Sequence, residues 1–209
     1  MKAEEKRTLT AAEQRRLARF EALKAKLEAQ GWRAVDLTIS IVKANVFSVL
    51  LAFPLMGLGF WLFFKHNGGM GSMPPRFGLP LLAVFIALVF VHEGLHGVTW
   101  ALFAENGFRD IEFGLMKELL TPYCTCSAPL KKGQYILGAL MPLIVLGLIP
   151  TVAGILAGSL FWTIVGLMMI LSAGGDMLIV LKLLLWKSEA AEQLFVDHPT
   201  LAGLAAFER

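Results

Sequence analysis

Residues Leu79–Phe103 read LPLLAVFIALVFVHEGLHGVTWALF, and two features of this stretch decide the fold. It is long and apolar enough to cross a bilayer, because about 20 predominantly apolar residues at roughly 1.5 Å each cover the hydrocarbon core. It also carries His92, Glu93 and His96 close together. An ionisable side chain at membrane depth costs roughly 2.5–3.5 kcal/mol on insertion scales, so such a group needs a compensating partner. Positions i and i+4 share one helix face, so both imidazoles can reach one ion, and the HExxH spacing sets Glu93 beside it as a proton acceptor. A hydrogen-bonded cluster gluing helices together is the rival reading. It requires neither the histidine pair at this spacing nor the glutamate between them.

Outward from this stretch, the chain of 209 residues is 56% hydrophobic and only 17% charged, too oily for a soluble domain. Three further segments qualify as spans: Asn45–Phe64, Tyr135–Ala157 and Leu160–Trp186. The expected architecture is an all-α membrane protein with four transmembrane helices, an N-terminal amphipathic cytoplasmic helix and a small cytoplasmic β element. Residues 1–44 form the N-terminal segment, 45–186 the transmembrane core and 187–209 a cytoplasmic tail.

The net charge of +3 does not mark a nucleic-acid partner, since Lys and Arg lie in polar segments and not in a stripe with stacking aromatics. Membrane orientation accounts for them. Ten basic residues precede the first span (Lys2, Lys6, Arg7, Arg15, Arg16, Arg19, Lys24, Lys26, Arg33, Lys43), against Lys65 and Arg76 in the following loop. The positive-inside rule then puts the N-terminus, the loop 104–134 and the tail in the cytoplasm. The N-terminal region has no signal-peptide h-region or cleavage site. Cys124 and Cys126 fall in that reducing loop, which disfavours a disulfide; they read as small loop residues, with a CxC metal role as the weaker alternative.

Along the chain, Thr10 and Glu13 read as a capping box, and Leu17, Phe20, Leu23 and Leu27 recur at helical spacing until Gly31. This helix should rest on the membrane surface or the protein body, with a solvated charged face. Val35, Leu37, Ile39 and Ile41 alternate with polar residues, a strand period that suggests pairing with the β-prone stretches Ile111–Leu115 and Thr121–Ser127. The first span, with Pro54, Gly57 and Gly59, looks like packing scaffold. Pro142 and Pro150 should kink the third, where Gly154 and Gly158 fit GxxxG. Trp61, Trp100, Trp162 and Trp186 near span ends read as interfacial anchors. Met168 and Met169 read as lipid-facing or core filler, and His66 and His198 as surface residues.

A zinc site of this type needs a third protein ligand. Asp176 is the ionisable residue at depth in the fourth span, in LMMILSAGGDMLIVLKLLLW. At about 1.5 Å per residue, His92 and His96 lie roughly 20–26 Å along their helix and Asp176 about 24 Å along a helix of the same direction, so the depths match. Gly174 and Gly175 let the backbone there approach a neighbour or break. Glu112 and Glu118 are competing third ligands at soluble-peptidase spacing. The His, His, Asp donor set admits iron or cobalt as well as zinc.

HEGLHG inside a span, the PYCTCSAP loop followed by KKGQYILGALMP, then AGGDMLIVLKLL and a short tail with Asp197 and Phe207 resemble a bacterial membrane family of zincin-type peptidases of unknown function. The resemblance runs from about Gly31 onward and implies membrane location and a zinc hydrolase fold. More distantly, the layout is similar to the site-2 protease group of intramembrane metalloproteases. That resemblance implies His92 and His96 as ligands, Glu93 as catalytic base and Asp176 as third ligand. The chain departs from the group by having GGDM where an Asp-Gly pair is usual, and by lacking a PDZ-like insertion.

The expected function is intramembrane zinc metalloproteolysis of membrane protein or peptide substrates, from a site opening toward the cytoplasm, with the β-prone loop holding a substrate strand by edge pairing. Two rivals come from other classes. A non-catalytic metal-stabilised scaffold or sensor would not need Glu93, and a metal transporter would call for more intramembrane carboxylates.

Overall fold

The computed structural model of the chain describes residues 9–69, 77–116 and 121–209. Helix α1 spans Ala11–Ala29 and starts as its sequence dictates: Thr10 caps it, accepting from the Glu13 N–H while the Glu13 carboxylate takes the Thr10 N–H at 2.8 Å. Gly31, at φ +85°, turns the chain out of the helix into strand β1, Arg33–Thr38.

Helix α2, Ile41–Asn67, and helix α3, Gly78–Ala101, are both long and apolar enough to cross a membrane. A third such helix runs from Lys132 to Leu156 as α4 (Lys132–Pro142), a π-helical stretch (Leu143–Leu148) and α5 (Ile149–Leu156). The widened stretch follows Pro142, where the missing N–H disturbs the regular ladder. The fourth apolar segment is broken. Helix α6, Leu160–Ser172, and helix α7, Gly174–Leu185, meet at 50°, with the break directly before the two glycines. Apolar helical segments lie where all four spans are expected, with ends that differ by at most a few residues.

Small residues set how closely these helices pack. A Cβ on Gly154 would come within 2.5 Å of the Thr163 backbone nitrogen in α6, and one on Gly174 within 2.7 Å of the Ser48 carbonyl in α2. Gly158, by contrast, stands in the turn between α5 and α6 at φ +66°, so the GxxxG pair does not act as one packing face. Met169 is core filler, fully buried in α6.

The β structure exceeds the expected small element. Strands β2 (Ile111–Met116) and β3 (Thr121–Cys126) form a hairpin, with Ile111 opposite Cys126 and Phe113 opposite Cys124. The predicted pairing of the 35–41 segment with this hairpin does not occur. Instead β1 pairs with β5 (Gly203–Glu208), which pairs in turn with β4 (Gln193–Asp197), giving a three-stranded antiparallel sheet in the order β1-β5-β4. The alternation in 35–41 marked a strand without naming its partner, because the complementary alternation lies in the C-terminal segment some 170 residues away. That segment is therefore folded and not a loose tail.

Helix α1 lies on the protein body. Its Phe20, Leu23 and Leu27 pack on one face of the sheet against Val196, Ala205 and Phe207, while Leu204, Ala206 and Phe195 on the other face join Leu37, Leu130, Tyr135 and Leu183. Its charged face is not simply solvated either. Arg16 donates to Glu112 Oε1 at 2.9 Å, to the Tyr123 hydroxyl at 2.6 Å and to the Pro199 carbonyl at 3.1 Å, strapping the helix across the hairpin. Lys182, near the end of α7, donates to the Leu37 and Thr38 carbonyls and ties the last helix to β1.

Phe207 is completely buried between α1 and the sheet. Phe207→Ala should therefore destabilise the fold by about 3–5 kcal/mol. Thermal unfolding and limited proteolysis in detergent check this: an unshifted transition with no new cleavage near the C-terminus would show that the segment does not pack as described.

Candidate metal centre

Two stripes on α3 build the site. His92, His96 and Trp100 recur every four residues on one face, and Glu93 and Gly97 form the neighbouring stripe. The first stripe faces α4 and α7. The second faces the hairpin.

On the first stripe, both Nε2 atoms point at Asp176 in the first turn of α7. His92 Nε2 lies 3.1 Å from Asp176 Oδ2, His96 Nε2 lies 3.4 Å from Asp176 Oδ1, and the two Nε2 atoms are 3.2 Å apart. Both imidazoles are buried and Asp176 is half-buried. The break at Ala173 starts a new helix there, so Asp176 also faces the positive end of the α7 dipole. These three residues are a group whose ligand atoms could hold one metal ion.

The chemistry of the donors fits a cation. His96 Nδ1 lies 2.9 Å from the Gly138 carbonyl of α4, which can only accept, so the proton sits on Nδ1 and Nε2 presents its lone pair. That lone pair faces a second imidazole nitrogen and a carboxylate. Ligands of a tetrahedral zinc at about 2.0–2.1 Å stand about 3.3 Å from one another, close to the three separations observed. Among the described residues, His92 Nδ1 is a buried nitrogen with no hydrogen-bond partner, a state that costs about 1–3 kcal/mol if it carries the proton. An imidazole with one nitrogen unpartnered gains its compensation through the other.

The seat of His96 is closely fitted. Its ring stacks on Trp100, with centroids 5.0 Å apart and planes at 15°, and Trp100 Nε1 donates to the Tyr135 carbonyl at 3.1 Å. Gly138 has no room for a Cβ against the Trp100 indole. Trp100 is thus buried at the site and is not an interfacial anchor, whereas Trp61 and Trp162 are about half exposed.

On the second stripe, Glu93 lies beside the backbone of β3 at Cys124. Gly97 lets the hairpin lie against the helix, since a Cβ there would run into the Phe113 ring. Cys126, two residues along, directs its N–H the same way and donates to Asp197 Oδ2 at 2.8 Å. The other oxygen of Asp197 accepts from the Tyr135 hydroxyl. Burial pushes the Asp197 carboxyl above the usual range, while the bonds from Tyr135 and Cys126 pull it down.

Of the competing third ligands, Glu112 is turned away on the other face of the hairpin, paired with Arg16 at 2.9 Å, and Glu118 lies outside the described residues. His198 accepts from the Thr200 and Leu201 N–H groups and closes the turn between β4 and β5; His66 is exposed at the end of α2. Gly138, Tyr135 and Asp197 carry no signal as site residues in the sequence. Trp100 does, because it continues the His92–His96 spacing by one more turn.

With this geometry in view, residues 85–191, about half of the chain, match the sequence profile of the family described as "Putative zincin peptidase". The chain belongs to this family. No curated protein and no solved structure matches it significantly. The match supports the zincin-type resemblance and not the more distant one to site-2 proteases, and the family's name points to a metallopeptidase. Its bounds take in His92, Glu93, His96 and Asp176.

Neither cysteine joins the metal group. Burial raises the Cys124 thiol well above its ordinary value and pushes Cys126 up to about 12, with the Asp197 charge adding to both. Both stay protonated at neutral pH, so neither is a ready nucleophile. Iodoacetamide at pH 8 should leave the folded protein unmodified and alkylate both thiols after denaturation. Stoichiometric labelling of the native protein would contradict this.

Proposed function

We propose that this chain is an intramembrane zinc metallopeptidase that hydrolyses peptide bonds of membrane proteins or peptides in or near the bilayer. One observation carries the reading: His92, His96 and Asp176 turn three electron-rich groups toward one point within an apolar helix bundle, with Glu93 on the adjoining stripe. His92 and His96, through Nε2, and the Asp176 carboxylate would hold the ion. When bound, zinc supplies Lewis-acid polarisation of a carbonyl and makes water a competent nucleophile near neutral pH.

The chain's own residues do the rest. Glu93 takes the proton of the attacking water and returns it to the leaving amine. The Gly138 carbonyl fixes the His96 tautomer, and the hairpin beside Glu93 walls the site on one side. An extended substrate segment lies along the outer edge of β3, where it meets outward backbone groups close to Glu93. The basic N-terminal residues favour a cytoplasmic N-terminus, which puts both sheets and the mouth of the site on the cytoplasmic side.

Purified protein should bind one zinc per chain. His92→Ala, His96→Ala and Asp176→Ala should each sharply lower occupancy by elemental analysis, because each removes one of three ligands. Retention of full zinc by Asp176→Ala would remove it from the ligand set.

Glu93→Gln separates the enzyme from a metal-stabilised scaffold or sensor. It should keep its zinc and its fold, yet cleave membrane-spanning peptides about 10²–10⁴-fold more slowly than wild type. Equal cleavage by both proteins would assign the base elsewhere. No cleavage by wild type across a broad peptide library would favour the scaffold.

Orientation has its own check, in which Cys replacing Ser188 should react with an impermeant reagent only from the cytoplasmic side. Labelling from the opposite side alone would reverse the topology.

A further inference from the structure

Asp197 lies at the end of β4, beyond the last apolar helix, and has no part in the chemistry above. Its two carboxylate oxygens nevertheless hold two different elements of the site: Oδ1 accepts from the Tyr135 hydroxyl on α4, and Oδ2 accepts from the Cys126 N–H on β3 at 2.8 Å. We propose that Asp197 is a positioning residue of the metal centre, setting His96 through α4 and Glu93 through β3. The proposal rests on the metal-centre reading and adds to it a device by which the C-terminal sheet controls the site.

Consider the α4 arm. Tyr135 is fully buried in the first turn of α4, and its carbonyl receives the Trp100 Nε1–H at 3.1 Å. One turn later the Gly138 carbonyl receives the His96 Nδ1–H at 2.9 Å. Trp100 stacks on His96 and lies so tightly over Gly138 that a Cβ does not fit. A shift of the first turn of α4 therefore moves both the acceptor that orients His96 and the ring that supports it. The Tyr135–Asp197 bond pins that turn.

The β3 arm is shorter. Cys124 and Cys126 are two apart, so their N–H groups leave the same edge of the strand. Asp197 holds the second by a hydrogen bond, and Glu93 lies beside the first. Asp197 is itself firmly placed: Phe195, two residues earlier, is fully buried and exchanges both backbone hydrogen bonds with Leu130, at 2.8 and 2.9 Å.

The test uses full-length wild type, Asp197→Asn and Tyr135→Phe, purified in detergent and loaded with Co²⁺. The visible d–d absorption reports ligand geometry directly, chelator competition gives zinc affinity, and thermal melting reports stability. Asp197→Asn keeps the size of the side chain and replaces one acceptor oxygen by a donor; Tyr135→Phe removes only the hydroxyl. Both variants should bind cobalt with an altered band and hold zinc about 10–100-fold more weakly, as loss of an orienting partner does elsewhere. Should Asp197→Asn fail to fold, Tyr135→Phe alone decides. An unchanged spectrum and affinity, even with a lower melting temperature, would make the Asp197 contacts merely structural and overturn the proposal. A wild-type chain that takes up neither cobalt nor zinc would overturn the metal reading itself.

Discussion

Two imidazoles and a carboxylate meeting inside an apolar bundle set the terms for everything around them, because burying any of the three among apolar side chains is costly without the others. Asp176 reaches the His92–His96 pair only because α6 and α7 are broken at Ala173, which brings the aspartate to a helix start. Gly174 then lets α7 pass directly over the Ser48 carbonyl of α2. Regular helix through this segment would forgo both the dipole at Asp176 and the close crossing.

A second requirement follows from the first. An imidazole that offers Nε2 needs its other nitrogen settled, and for His96 this is done by a backbone carbonyl of α4, brought within 2.9 Å because residue 138 is glycine. Trp100 fills the space that a side chain at 138 would take. The HEGLHG sequence thus serves more than one purpose: its histidines face the cluster, its glutamate faces β3, and its last glycine admits the hairpin.

The sheets are attached to one end of the bundle and are braced against it from several directions. Arg16 joins α1 to the hairpin, Lys182 joins α7 to β1, and Asp197 joins the C-terminal sheet to both β3 and α4. The sheet-bearing part is consequently not an appendage. It packs against the site on one side and bonds to the helix whose Gly138 carbonyl meets His96.

How much of this was legible beforehand depends on the range of the signal. Local patterns were enough for the four apolar segments, the capping box at Thr10 and Glu13, the HExxH face of α3 and the depth match of Asp176. Each of these depends on helix periodicity, rise per residue or the cost of charge in an apolar medium, and a sequence states those directly. Tertiary structure alone decided the partner of β1, the folding of the C-terminal segment into a sheet, and the contacts of Gly138, Tyr135 and Asp197. These turn on contacts between residues far apart in the chain and on backbone atoms, which every residue possesses. The sequence determined which side chains had to find partners in an apolar medium, and the packing of distant elements determined which atoms met that need.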